Sequence, residues 1–339
     1  MSVRKALIPV VTLLLVISLE GCTLFIGNGS KETTAQIAPP NGSSQVVVFQ
    51  DIALERIVRQ AIGKYEGALR PANLAELTVL QASGAGINDL GGIENCVNLI
   101  SLSLVNNQVR DISTLSDLTN LRELQLEWNG ITDISPLQTL TGLIRLNLDG
   151  NYIADLTPLR SLPVLNELSL SNCGLTNVNQ LAGLTSLKHL TLTANSITDL
   201  KPLATLSGLV SLGLASNGIT DITPLSALTN LMELGLAYNK IADITALNSL
   251  TNLSMLNIAG NGLVDIHVIA NLHNLVWLWL QDNQITDLTP LLNNGKFVTG
   301  HLINARNNPL DDNSINVVVP ELRKAGLDIQ WSTAIVGGK

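Results

Sequence analysis

The sequence predicts an α/β solenoid: a stack of short coils, each adding one strand to a long parallel sheet. Three observations carry that prediction. A 22-residue unit recurs nine times without insertion from Cys96 to Asn293, and a weaker tenth copy begins at Leu74. In the unit Leu118 to Thr139 (LTNLRELQLEWNGITDISPLQT), Leu124 and Leu126 alternate with Glu123, Gln125 and Glu127, the period of a strand. Hydrophobic residues make up 46% of the 339 and aromatics only 3%, which suits a continuous core of thin Leu and Ile layers.

The chain opens with the parts of an export signal: Arg4 and Lys5, the apolar run Ala6 to Ser18, and then Leu19-Glu20-Gly21-Cys22. The last four residues resemble the bacterial lipobox; Leu19 and Gly21 match it, and Glu20 departs from its usual small or apolar residue. The resemblance implies a lipoprotein signal over 1–21, cleavage before Cys22 and lipid on the Cys22 thiol. Ordinary cleavage or an uncleaved anchor are the alternatives. Residues 22–46, rich in Gly, Ser, Thr, Asn and Pro, then read as a flexible, lipid-anchored linker. The expected address is the bacterial cell membrane or outer membrane, facing outside the cytoplasm.

A helical N-terminal cap is expected over 47–73. Asp51 is its N-cap, Leu54, Ile57, Val58, Ala61 and Ile62 form the apolar stripe, and Gly63 ends the helix. It would cover the open end of the repeats, which run from 74 to 293. A C-terminal capping repeat and tail occupy 294–339. There His301 to Leu310 keeps the strand-and-Asn rhythm, Asp312 to Ala325 reads as a helix, and Leu327 to Trp331 as a last strand. Pro320, inside that helix, predicts a kink or break.

Within each coil Leu118, Leu121, Ile131, Ile134 and Leu137 complete the buried set, at about 1.5–3 kcal/mol for each large side chain. An asparagine recurs as Asn107, Asn129, Asn151, Asn195, Asn217, Asn239, Asn261 and Asn283, with Cys173 in the missing place. Such an inward amide must be hydrogen-bonded, so the row reads as a structural ladder binding the backbone of its own and adjacent coils. A parallel row runs through Asp111, Asp133, Asp155, Asp199, Asp221, Asp243, Asp265 and Asp287, with Asn177 as the exception. In the setting Asp-Ile-x-Pro-Leu it reads as the N-cap of a short 3₁₀ turn on the convex side. One carboxylate per coil lacks the oxygen cluster of a calcium site, and neither metal nor cofactor is expected. Cys96 and Cys173 stand three coils apart, roughly 14 Å at the strand spacing, too far for a disulfide.

The pattern LxxLxLxxNxIxDIxPL, repeated in register, resembles the leucine-rich repeat family, specifically the 22-residue class of bacterial internalin-like surface proteins. The resemblance covers roughly Val47 to Trp331. It implies a leucine-rich repeat horseshoe whose concave parallel sheet commonly binds protein ligands. Internalins also carry a wall-sorting or wall-binding element and an immunoglobulin-like domain after the repeats. Neither is visible here, so their host-invasion role does not carry over.

Function is therefore sought at the variable strand positions. The early coils present Glu123, Gln125, Glu127, Arg145, Asp149 and Glu167, an acidic and polar region with one arginine. The middle coils are bland, and the late coils turn apolar at Tyr238, Met255, Trp277 and Trp279. Trp277 and Trp279 flank Leu278, so alternation places both indoles on one face, as an exposed anchor for a protein partner unless the C-terminal cap covers them. Trp128, just past its strand, is a weaker candidate. Envelope glycan stacking on the same indoles is the alternative, and a spacer without a ligand is a third reading. A net charge of −8 argues against nucleic acid. Four histidines at unrelated positions, with no phosphate loop and no nucleophile elbow, argue against an enzyme.

Overall fold

The computed structural model describes residues 45–332. The export signal, Cys22, nearly all of the linker and the tail from Thr333 lie outside the described residues. Twelve three-residue strands form one parallel sheet in sequence order. They are β1 (Val79–Gln81), β2 (Ser101–Ser103), β3 (Glu123–Gln125), β4 (Arg145–Asn147), β5 (Glu167–Ser169) and β6 (His189–Thr191), followed by β7 (Ser211–Gly213), β8 (Glu233–Gly235), β9 (Met255–Asn257), β10 (Trp277–Trp279), β11 (Leu302–Asn304) and β12 (Asp328–Gln330). The 22-residue period sets the register, so Leu124 lies between Leu102 and Leu146, and Leu278 between Leu256 and Ile303. Every central strand residue is buried, and with the conserved-period Leu and Ile of each coil they make one core running the length of the stack.

The asparagines knit coil to coil. Asn151, fully buried, accepts the N–H of Ile131 on Oδ1 (3.1 Å) and donates Nδ2 to the carbonyls of Leu126 (3.0 Å) and Leu148 (2.9 Å). One amide thus satisfies three backbone groups in two coils, and Asn308 repeats the arrangement beyond the last regular coil. At the break, the Cys173 thiol donates to Leu148 O at 3.3 Å and supplies no strong acceptor. Burial pushes that thiol up to about 12, and the same holds for Cys96, so both are inert small apolar groups.

The aspartate row caps the convex turns by a different bond from the one expected. The 3₁₀ turn Ser135–Thr139 takes Ile134, not Asp133, as its N-cap residue. Asp133 sits one position earlier and accepts the N–H of Ser135 on Oδ1 at 2.8 Å, a side-chain turn that starts the helix. Asp111, Asp155, Asp199, Asp221, Asp243, Asp265 and Asp287 each make the same bond two residues ahead. The backbone N–H and hydroxyl of Ser113 hold the Asp111 carboxyl below the usual range.

Both ends of the stack are closed. Helix α1 (Ile52–Ala61) buries Leu54 and Val58, while Ala61, expected in its stripe, is exposed. Asp51 caps it through the N–H groups of Ala53 and Leu54, and its second oxygen accepts the N–H of Asn88 (2.9 Å), tying the helix to the first coil. At the other end, Pro320 does not break the helix. A π-helical turn, Ser314–Val318, runs straight into the α-helix Val319–Lys324, and Val319 N–H reaches back to Ser314 O. Pro320 falls in the first turn of that α-helix, where its missing N–H is tolerated. Gly326 (φ +89°) then turns the chain into β12.

Candidate functional site: the concave sheet and its rim

The outward residues of the strands form two rows on the concave face. The first passes Glu123, Arg145, Glu167, His189, Ser211, Glu233, Met255, Trp277 and Leu302. The second passes Gln125, Asn147, Ser169, Thr191, Gly213, Gly235, Asn257, Trp279 and Asn304. Just past each strand a further residue continues the face, and among these are Glu127 and Asp149.

At the acidic end, Arg145 lies between two carboxylates, with Nε 2.9 Å from Glu167 and the other arm paired with Glu123. All three side chains are about half exposed, so this triad adds little stability and leaves a charged, hydrated surface. Glu127 and Asp149 differ sharply from it. Asp149 is buried and accepts Ser169 Oγ and Ser171 N–H, each at 2.6 Å; burial still raises its carboxyl. Burial, opposed by its own backbone N–H and reinforced by the Asp149 charge, pushes Glu127 up to about 7. Its Oε2 is sealed from solvent without a hydrogen-bond partner. Gln125 stands half-buried beside them.

The central coils present Gly213, Ala215 and Gly235, so the sheet backbone itself lies near the surface there. At the apolar end the expected exposed anchor needs correction. Alternation holds, because Leu278 is fully buried in the core and the two indoles project on the other side. Yet Trp279 is only 7% exposed and Met255 9%, leaving Trp277 half-buried. The C-terminal cap adds Leu302 and Asn304 beside the indoles, Met255 and Asn257 flank them on the other side, and neighbours at strand spacing crowd such large rings. Tyr238, grouped with them from the sequence, is 58% exposed but belongs to the turn row past the strands.

That turn row was the feature least visible from the repeat pattern. One residue after Glu127 and its equivalents, the backbone is left-handed in coil after coil: Asn106, Trp128, Gly150, Asn172, Ala194, Ser216, Tyr238, Gly260, Asp282 and Asn307. The signal that could have found it is an aromatic followed one period later by glycine, which occurs at Trp128 and Gly150 and again at Tyr238 and Gly260.

With this geometry in hand, the chain is defined as a leucine-rich repeat protein. The family of leucine-rich repeats (two copies) matches residues 119–161 and 163–205. An internalin (inlF) from Listeria monocytogenes str. 4b F2365 is 30% identical over 86% of this chain and 96% of its own, with a TM-score of 0.71. Internalin C2 (inlC2) from the same strain is 34% identical over 68% of this chain and 92% of its own, with a TM-score of 0.52. The functional domain of InlJ from Listeria monocytogenes is 25% identical over 84% of this chain and 60% of that one, with a TM-score of 0.71. No curated protein matches. The chain belongs to the internalin family.

Proposed function

We propose that this chain is a cell-surface recognition module whose concave sheet binds a protein ligand without catalysing a reaction. The observation that carries the reading is the graded face: a hydrated Glu123–Arg145–Glu167 triad at one end, a bare centre, and the row Met255–Trp277–Leu302 at the other. A partner can settle closely on Gly213, Ala215 and Gly235 while charge fixes its direction and Trp277 gives it an apolar foothold. Export and lipid attachment at Cys22 complete the proposal, putting the module on the outer side of a membrane. No described helix is long and apolar enough to cross one. Glycan stacking on Trp277 and Trp279 is the weaker reading, because the buried Trp279 offers no free ring face.

The test separates binding from folding. Trp277→Ala is expected to lose capture of the surface ligand from intact cells while the melting temperature moves by only a few degrees. Trp279→Ala does not serve, since it empties a buried position. Retained capture by Trp277→Ala removes the apolar foothold from the proposal. Cys22→Ser is expected to abolish incorporation of a labelled fatty acid, and persistent labelling rejects the lipid anchor.

A further inference from the structure

Trp128 and Tyr238 occupy equivalent places five coils apart, roughly 24 Å at the strand spacing. Both adopt a left-handed backbone (φ +54° and +56°) that large side chains rarely take. Their equivalents in other coils are Gly, Asn, Ala, Ser or Asp, so the turn itself does not call for an aromatic ring. Both rings lie on the glycine of the next coil. A Cβ on Gly150 would stand 2.5 Å from Cε3 and 2.7 Å from Cδ2 of Trp128, and one on Gly260 would stand 2.7 Å from Cε1 of Tyr238. The backbone therefore braces each ring, yet Trp128 remains 55% and Tyr238 58% exposed.

Between the two rings the row reads Gly150, Asn172, Ala194 and Ser216, small and uncharged. A protein hot spot gathers its apolar residues in a contiguous centre ringed by polar ones, whereas these aromatics are far apart on a polar rail. Braced rings at intervals along a hydrogen-bonding track suit an extended polymer that stacks on them in turn. A net charge of −8 and the absence of any basic residue along this rail argue against a polyanion, nucleic acid included. The geometry points to a second binding surface, distinct from the concave sheet, on which Trp128 and Tyr238 stack two sugar rings of one neutral, linear polysaccharide. Asn172 and Ser216 supply hydrogen bonds to the hydroxyls between them.

The probes are chitohexaose and cellohexaose, with a hexameric galacturonate as the polyanion and chitotriose as a ligand too short to bridge, each titrated calorimetrically into the full chain. At least one neutral hexasaccharide is expected to bind. Trp128→Ala and Tyr238→Ala should each weaken it by about tenfold, the scale of one stacking contact, with unchanged melting temperatures. Trp128→Tyr should keep most of the affinity, and chitotriose should bind no better than the hexasaccharide binds either alanine variant. Absence of binding by both neutral hexasaccharides overturns the proposal, as do binding of the galacturonate alone and equal affinity in the alanine variants. Loss of protein-ligand capture in Trp128→Ala, with no change in sugar binding, would also overturn it and assign the ring to the concave ligand. Capture failing only in Trp277→Ala bears on the concave face and leaves this surface standing.

Discussion

The two ends of the concave face place large side chains in equivalent rows and treat them in opposite ways. At the amino-terminal end Glu123, Arg145 and Glu167 stand half-exposed in water and pair with one another. At the carboxy-terminal end Met255, in the same row, and Trp279, in the adjacent row, are buried beside their cross-strand neighbours. A row position therefore decides the direction a side chain takes, and the neighbours one coil away decide whether it reaches a ligand. The acidic end stays exposed and hydrated, and the apolar end is partly built into the scaffold, with Trp277 at the boundary.

Truncation of one side chain at each end should give losses of very different size. Trp279→Ala should cost about 3–5 kcal/mol in urea unfolding, because it empties a buried place, while Glu123→Ala should cost at most about 1 kcal/mol. Similar losses from both would mean the ends are not different in kind. Asn151→Ala comes next, since it strips partners from three backbone groups, and about 2–3 kcal/mol of unfolding free energy should disappear.

A smaller effect lies in the titration of Glu127. Its folded carboxyl titrates at about 7, above the ordinary 4.5, so the folded state holds the proton more tightly than the unfolded chain. The stability this contributes is fully present below about pH 4.5, declines as pH rises, and is gone above about 7, a change on the order of 1–3 kcal/mol. Glu127→Gln should flatten the unfolding free energy across that window. A slope that persists in the variant would place the titration elsewhere. Asp111, Asp155, Asp221, Asp243 and Asp265 have the opposite sign, because their lowered carboxyls contribute stability that is present above the usual carboxylate range and lost as pH falls through and below it.

Smaller still is Cys173→Asn, which should complete the ladder and raise the unfolding free energy by about 1 kcal/mol. In the neighbouring coil Asn195 Oδ1 accepts the N–H of Leu175, and an asparagine at 173 would offer the same acceptor to Ile153. No gain, or a loss, would mean the cavity around the thiol has closed to the larger amide.

Much of the architecture was legible because each coil repeats its own local rules. Alternation at Leu124 and Leu126 announced the strand, the Asn129 row announced buried amides with backbone partners, and Asp51 announced the cap of α1. What escaped reading depends on contacts across coils. Glu123 and Glu127 share one face by period-2 counting, yet one is paired in water and the other is sealed beside Asp149. Trp277 and Trp279 looked alike for the same reason, yet Trp279 is buried and Trp277 only half-buried. Pro320 forecast a kink or break, yet the helical residues run on through it, because a π turn ends just before it and leaves it in the first turn of an α-helix.

The concave sheet is proposed to carry a protein ligand along its length. The most direct measurement places a photo-crosslinking side chain at Gln125, at His189 or, on the convex turns, at Gln138, and irradiates intact cells. Adducts to one and the same protein from Gln125 and His189, with none from Gln138, are the predicted result. Adducts from Gln138 alone, or equally from all three places, would contradict it.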